Sequence, residues 1–375
     1  MKINIIGGGP AGLYFALLMK RQDPAHMITA WERNAPDDTF GWGVVFSDKT
    51  LAYLRDADEP THREITRAFM TWDNVDVVHR GVKIKIRGNK FSGIARIKLL
   101  NILQARCAEL GVDLRFRAEV REPERLAAEC DLLVGADGVN SEVRARFGEY
   151  FQPELSVRHN RYIWYGTRQL FHGLTLTFHE NADGVFAAHS YKFDETTSTF
   201  IVECDEQTWT RAGFATQADE ETRRYLAEVF KADLGGHALL SNNSKWINFL
   251  LVKNRHWHHR NIALLGDALH TAHFSIGSGT KLALEDAIAL ARSFAQAQDV
   301  PTALAEFARV RRPVIEEYQQ AAYESLVWFE HARDYMHLAP LPFAYSLMTR
   351  SKRIDYENLK RRDPAFIAAY EAAVG

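Results

Sequence analysis

The run Ile3-Asn4-Ile5-Ile6 passes directly into Gly7-Gly8-Gly9-Pro10-Ala11-Gly12, and that into the apolar stretch Leu13 to Lys20. A short apolar run bounded by glycines reads as a buried strand, and the longer stretch after it as a helix. The turn between them has the spacing Gly-x-Gly-x-x-Gly, whose mechanics are specific. Gly7 permits the sharp turn, Gly9 lets the backbone approach a pyrophosphate, and Gly12 lets the helix pack close to the strand. The first-turn amides and the helix dipole then face the phosphates. A second strand, Ile28 to Glu32, ends in a carboxylate that can accept hydrogen bonds from a ribose. Strand, turn, helix and acid together make a dinucleotide site of Gly7, Gly9, Pro10, Ala11, Gly12, Glu32 and Arg33. The spacing alone does not distinguish NAD, NADP and FAD.

Two further segments repeat the strand-into-glycine pattern. One is Asp131-Leu132-Leu133-Val134-Gly135-Ala136-Asp137-Gly138; the other is Ile262-Ala263-Leu264-Leu265-Gly266-Asp267, followed by Gly277-Ser278-Gly279. Read alone, the first could be any strand-to-helix turn with a capping Asp. In the second, Asp267 is placed to grip a ribityl hydroxyl. A helix opening at Gly279-Thr280-Lys281 would turn its positive end toward a reduced isoalloxazine. Between these segments, Arg161 to Glu203 is dominated by β-branched and aromatic residues broken by turn signals, the pattern of an antiparallel sheet. Thr39 to Ser47 reads as a loop over a ligand, Ile97 to Leu110 as an amphipathic helix, and Thr302 to Ala373 as mostly helical.

Composition narrows the classes. A chain of 375 residues, 46% of them hydrophobic, can bury a core for two or three structural units. Lys plus Arg (46) nearly balances Asp plus Glu (48), so there is no electrostatic case for nucleic acid as a partner. Three scattered cysteines argue against a disulfide framework or a zinc site and point to a reducing, cytoplasmic setting. No secretory leader and no bilayer-spanning apolar run is read. His256-Trp257-His258-His259-Arg260 lacks acidic or Cys company, so a wet loop is expected there and no metal.

The three motifs, in this order and at these separations, resemble those of the class A flavoprotein monooxygenases, the family of 4-hydroxybenzoate hydroxylase. The resemblance implies an α/β fold: a Rossmann-like FAD-binding domain interleaved with an antiparallel-sheet substrate domain, plus C-terminal helices. On that reading residues 1–75, 91–155 and 250–300 bind FAD, 76–90 and 156–249 form the substrate domain, and 301–375 the helical segment. It also implies that Val45, Arg96, Asp137, Gly138, Gly266, Asp267, Gly277, Gly279, Thr280 and Lys281 serve FAD, and that NADPH or NADH visits without a second Rossmann domain. Many relatives carry Pro at the position of Phe274 and Asn at that of Lys281. Signatures such as Gly41-Trp42-Gly43-Val44-Val45 and His273-Phe274-Ser275-Ile276-Gly277 are most similar to one branch. That branch holds the aryl-CoA hydroxylases acting on salicylyl-CoA and 2-aminobenzoyl-CoA, and the tryptophan hydroxylase of violacein biosynthesis.

The implied reaction is hydroxylation of an electron-rich ring with NAD(P)H and O2 through a flavin C4a-hydroperoxide. A hydroxy- or amino-benzoyl-CoA thioester is the preferred substrate. The alternatives are tryptophan, an indole or a free aromatic acid, or reductase chemistry of the same superfamily. Trp164, Tyr165, Tyr191 and Phe274, with Phe186 and Phe200, are candidates to line the substrate pocket, and His189 and His273 are its candidate catalytic groups. Arg350, Lys352, Arg353, Lys360, Arg361 and Arg362 could hold CoA phosphates, against the alternative of a solvated helix face. A monomer or homodimer without membrane attachment is expected.

Overall fold

Lys2–Ile6 forms a strand and Pro10–Gln22 a helix, joined by the glycine turn. This is a computed structural model; it describes the backbone throughout and the side chains of all residues but 47–51. The strand is the middle of a six-stranded sheet. Its order is His258–His259, Ile262–Leu264, Leu132–Gly135, Lys2–Ile6, Met27–Trp31, Asp113–Arg115. All neighbours are parallel except the outermost hairpin. Parallel strands are covered on both faces, which is why these runs are apolar at nearly every position. Leu13, Phe15 and Leu17 on the first helix are fully buried against the sheet, each worth about 1.5–3 kcal/mol of transfer free energy.

The topology brings the three motifs together. Ile262–Leu264, Leu132–Gly135 and Lys2–Ile6 lie side by side and point the same way. The turns that follow them therefore crowd one edge of the sheet, where open α/β sheets bind ligands.

A second sheet runs Leu239–Leu240, Pro153–Thr167, Ser198–Cys204, Val185–Lys192, Leu174–Glu180, Val75–His79, Val82–Ile86, with Ile247–Asn254 also paired to Pro153–Thr167. It is antiparallel apart from the pairing of Leu174–Glu180 with Val75–His79. Side chains alternate between its faces. One face carries Ile163, Tyr165, Phe186, Phe200 and Val202, packed with Leu226 and Phe230 of the segment beginning at helix Asp219–Val229. The other face is covered in part by Phe329, Phe343 and Leu347 from the C-terminal helices, and in part by the segment from Gly41 onward.

That segment is a correction. Thr39 to Ser47 was expected as loop, yet Gly43–Ser47 pairs with Phe91–Ala95 in a three-stranded sheet completed by Met70–Trp72. Val44, Val45 and Phe46 are strand formers buried on both sides, which outweighs the flanking glycines. A second correction falls at His256 to Arg260, expected as a wet loop: His258–His259 is an edge strand paired with Ile262–Leu264, and Trp257 is buried. The expected helices occur within a residue or two: Arg96–Glu109 and Gly279–Gln296, then Val300–Glu330, Pro340–Thr349, Tyr356–Arg362 and Pro364–Val374.

Candidate functional site

The first motif needs glycine at two positions for steric reasons. Gly7 sits at φ +113°, and a Cβ there would lie 2.1 Å from the Ala136 carbonyl oxygen. A Cβ on Gly12 would lie 2.3 Å from the Gly7 oxygen. Both are impossible contacts, so these glycines set the strand-to-strand and helix-to-strand distances. Gly9 is different: nothing lies within 4 Å of its would-be Cβ, at a helix N-cap with ordinary φ −80°. Gly138 and Gly279 face open space in the same way.

The turns also touch one another. Gly266, at φ +60°, would place a Cβ 3.0 Å from that of Ala11. Buried Arg144 donates to the carbonyls of Ala268 (3.0 Å) and Val139 (2.5 Å), tying the second turn to the third. Val45 lies 4.0 Å from the would-be Cβ of Gly277. Glu32 accepts from the Gly8 amide (2.8 Å) and from Asn34 (2.8 and 2.7 Å), so the carboxylate is anchored at the mouth of the first turn beside exposed Arg33.

Asp267 is accessible to solvent, yet burial is the main force on its carboxyl, pushing it above the usual range, with Arg96 pulling the other way. Arg96 and Tyr162 are half-buried; burial lowers the guanidinium and raises the phenol, and both feel the charge of Asp267. Asp267, Arg96 and Tyr162 thus gather beside the edge where the glycine turns meet, and this is the candidate cofactor recess. The first-turn amides of Gly279, Thr280 and Lys281 precede the first intrahelical bond, from Leu282 to the Ser278 carbonyl (2.9 Å), so the helix itself gives them no acceptor.

Three expected roles change. The Asp137 carboxylate accepts from the Ser141 hydroxyl (2.5 Å) and the Glu142 and Val143 amides (2.7 and 3.1 Å), so it caps helix Glu142–Arg146 and only Gly138 beside it faces open space. The Lys281 ammonium turns away along its own helix to Glu285 (2.9 Å) and the Tyr318 hydroxyl (2.8 Å), leaving its backbone amide to the recess. Tyr165 is on the wrong face of the second sheet for a pocket shared with Trp164, and its hydroxyl donates to Asp219 (2.9 Å). Phe186 and Phe200 lie on that outer face too. Strand parity places all three aromatics there, since neighbours in sequence point to opposite sides.

The inner face carries Tyr162, Trp164, His189, Tyr191 and Glu203. Trp164 packs on Gly41, and the Tyr191 hydroxyl donates to the Gly43 carbonyl (2.7 Å), so both seat the Gly41–Ser47 segment. Phe274, just before Gly277, packs against Tyr162 (centroids 4.6 Å), His189 (5.2 Å) and His273 (4.1 Å). It joins the third motif to the sheet.

Both candidate histidines have partners that the sequence did not reveal. His189 Nε2 lies 3.2 Å from Glu203 Oε2, and Asn160 donates to Glu203 Oε1 (2.8 Å), all buried. Burial raises Glu203, but the bonds from His189 and Asn160 and the nearby His273 hold it net below the usual range. His273 Nδ1 lies 2.8 Å from the Ser275 hydroxyl, which meets Ser325 (2.7 Å), which accepts from Arg350 (2.8 Å). Arg350 also donates to the Ser275 (2.8 Å) and Leu347 (2.5 Å) carbonyls. It belongs to this cluster rather than to a surface patch. The rest of the basic C-terminal set is dispersed: Lys352 pairs with Glu324, Arg353 lies over Tyr318, Lys360 over Tyr356, and Arg362 donates to Asn89. Glu203 was legible only as the one carboxylate in an otherwise apolar and hydroxyl-bearing strand.

Burial lowers His273 from 6.5 to about 4. Its folded-state value lies below the unfolded one, so the unfolded chain binds the extra proton between them. The resulting stability is full above 6.5 and is lost as pH falls toward 4. Between pH 7 and pH 5, unfolding in urea should show the wild type losing about 2 kcal/mol more stability than His273→Gln. Equal losses would show that His273 titrates normally.

Comparison with known proteins agrees with this geometry. The family model described as "FAD binding domain" matches residues 1–322. Salicyloyl-CoA 5-hydroxylase of Streptomyces sp is 43% identical, over 98% of this chain and 72% of that protein. Protodeoxyviolaceinate monooxygenase of Chromobacterium violaceum is 37% identical, over 94% and 95% of the two chains. Among solved structures, a mutant of 2-methyl-3-hydroxypyridine-5-carboxylic acid oxygenase superposes with a TM-score of 0.72, 18% identity, and coverage of 96% and 98%. Glycine turns with open Cβ positions, a dipolar helix start and the Asp267–Arg96 recess are features that fit FAD. The chain belongs to the FAD-binding family matched here, as a class A FAD-dependent aromatic monooxygenase.

Proposed function

We propose that this chain hydroxylates the ring of an aryl thioester of the hydroxy- or amino-benzoyl-CoA kind, with NAD(P)H and O2 as co-substrates. FAD, when bound, supplies the oxidation–reduction chemistry; the protein's part is to place the ring, exclude water and manage protons. The observation that carries the reading is Phe274. It stands between the turn that ends at Gly277 and the sheet face of Tyr162 and His189, so an aromatic substrate beside it would lie against the flavin end of the recess.

The thioester preference has a physical basis besides the salicyloyl-CoA relative. A free aromatic carboxylate is usually gripped by a forked arginine. Here Arg350 already donates from all three nitrogens to Ser325, Ser275 and Leu347, and the Glu203 carboxylate stands close by. A neutral thioester carbonyl suits such a pocket better. On this reading the FAD contacts fall to Gly7, Gly9, Pro10, Ala11, Gly12, Glu32, Arg33, Val45, Arg96, Gly138, Gly266, Asp267, Gly277, Gly279 and the amides of Thr280 and Lys281. The proposed division into an FAD domain, a substrate domain and a helical tail is supported by the separation of the two large sheets and by the run of helices from Val300 onward.

The test is substrate-stimulated NAD(P)H oxidation by the FAD-loaded enzyme, over salicyl-CoA, 2-aminobenzoyl-CoA, their free acids and tryptophan. At least one thioester should stimulate about tenfold or more over its free acid. Stimulation by tryptophan or a free acid alone would overturn the thioester reading.

A further inference from the structure

Beside Glu203 and Asn160 lies a cavity of about 10 Å³, room for roughly one water molecule. Buried Glu203 and Asn160 line it, together with Asp205, Glu330 and exposed Arg333. Asp205 and exposed Arg333 form an ion pair (3.5 Å) at the surface. Asn160 Oδ1 is buried and has no hydrogen-bond partner among the described residues, although the amide nitrogen is bonded to Glu203. An orphaned buried acceptor beside a one-water space is a place for a bridging water.

Asn160 is aimed there by a break in strand Pro153–Thr167. The pairing register with Ile247–Asn254 shifts between Val157 and Arg161. Such bulges re-aim side chains beside functional sites. This one is clamped on both sides: Asn248 donates to the carbonyls of Arg158, His159 and Asn160. Glu330 accepts from the His159 amide (2.9 Å) and from Arg158 (2.6 Å).

We propose that His189 and Glu203 take up the proton of a ring hydroxyl on the bound substrate, and that the cavity held by Asn160 is their exchange route to solvent. The inference rests on the aryl-substrate reading and narrows it to phenols. A carboxylate only accepts, so the proton of neutral His189 sits on Nε2 and the lone pair on Nδ1. The ring O–H bond breaks, its proton goes to Nδ1, and the electron pair stays on oxygen, enriching the ring. The imidazolium then gives its Nε2 proton to Glu203 Oε2, restoring neutral His189, and the carboxyl releases that proton through the water beside Asn160 toward the Asp205–Arg333 rim. The other ionisable groups within electrostatic reach of Glu203 are His273, Arg350, Tyr162 and Cys204, and Arg158 is within reach of His273. An aniline, already neutral and electron-rich, makes no such demand.

The experiment uses FAD-loaded wild type, Glu203→Gln, His189→Asn and Asn160→Ala with salicyl-CoA, 2-aminobenzoyl-CoA, salicylate and tryptophan side by side. Flavin content and the spectral shift on substrate binding serve as controls for folding. With the hydroxylated substrate, Glu203→Gln and His189→Asn should lower kcat about 100-fold with KM changed far less. Their acidic limb should move, while an amino substrate loses less than about threefold. Asn160→Ala, the gentler change, should lower kcat for the phenol by about three- to tenfold. Without reductant and without oxygen, the ultraviolet band of the bound phenol should ionise at lower pH in wild type than in Glu203→Gln. Equal losses on phenol and aniline, or an unmoved phenol band, would make the pair structural and overturn the proposal. If the thioesters fail but salicylate turns over with these signatures, the pair stands and only the thioester reading falls.

Discussion

Gly7→Ala is expected to lose both fold and flavin, whereas Gly9→Ala should keep the fold and lose the flavin. The two glycines are two residues apart and meet opposite surroundings. A methyl on Gly7 would collide with the Ala136 carbonyl oxygen at 2.1 Å, from a backbone at φ +113° that alanine resists. Relief requires prising apart the neighbouring strands Lys2–Ile6 and Leu132–Gly135 at their ends, and the cost should be about 3–5 kcal/mol. A methyl on Gly9 meets no protein atom within 4 Å. Alanine is only a poorer helix cap than glycine, so stability should change by about 1 kcal/mol or less. That methyl would stand where the pyrophosphate approaches. Losing one or two charge-assisted bonds of about 1.5–3 kcal/mol each weakens FAD binding by tenfold to well over 100-fold. Urea unfolding with and without added FAD separates the two. Stabilisation by FAD should vanish in Gly9→Ala while its flavin-free stability stays near wild type. A Gly9→Ala protein that holds FAD normally would show that the phosphates lie elsewhere.

Asp286→Ala is expected to be the most damaging change outside the glycine turns. Its fully buried carboxylate accepts from Arg311 Nε (2.7 Å) and lies 2.7 Å from His270 Nε2. Arg311 also meets Glu285 (3.1 Å), which pairs with Lys281 (2.9 Å). Burial pushes Asp286 up, but His270 and Arg311 hold it net below the usual carboxylate range. The network ties the Gly266–His270 turn to helix Gly279–Gln296 and to Val300–Glu330. Removing Asp286 leaves buried Arg311 with Glu285 as its one carboxylate and His270 Nε2 without its acceptor, which should cost about 3 kcal/mol. Replacing the pair together, as Asp286→Leu with Arg311→Met, should cost less, because the guanidinium goes with its carboxylate and Glu285 keeps Lys281 as a partner. Urea unfolding of the three proteins checks this; equal losses in single and double variants would mean the network is not what holds the third turn.

Much of the site is written in local sequence. Each glycine motif follows a buried strand, and parallel neighbours must end at one edge, so the recess follows from three short runs and one topology. What escaped is what local sequence does not encode. The aromatics of Arg161 to Glu203 were pooled as one pocket, although parity separates Tyr165, Phe186 and Phe200 from Trp164 and Tyr191. Asn160 is aimed by a bulge whose register depends on the partner strand. Arg350 looked like one of six surface cations because nothing near it in sequence names Ser275 or Ser325. Lys281 looked like a flavin contact because its ammonium's partner Tyr318 comes from the long helix.

The account's main claim is that one nucleotide threads the three turns and presents its ring to the face bearing Phe274, Tyr162 and His189. A crystal structure of the FAD-loaded enzyme tests this directly. It should show the pyrophosphate on the amides after Gly9, the ribityl chain at Asp267, and the isoalloxazine between the Gly279 helix start and Phe274. A flavin bound elsewhere, or a ring walled off from Tyr162 and Phe274 by protein, would contradict it.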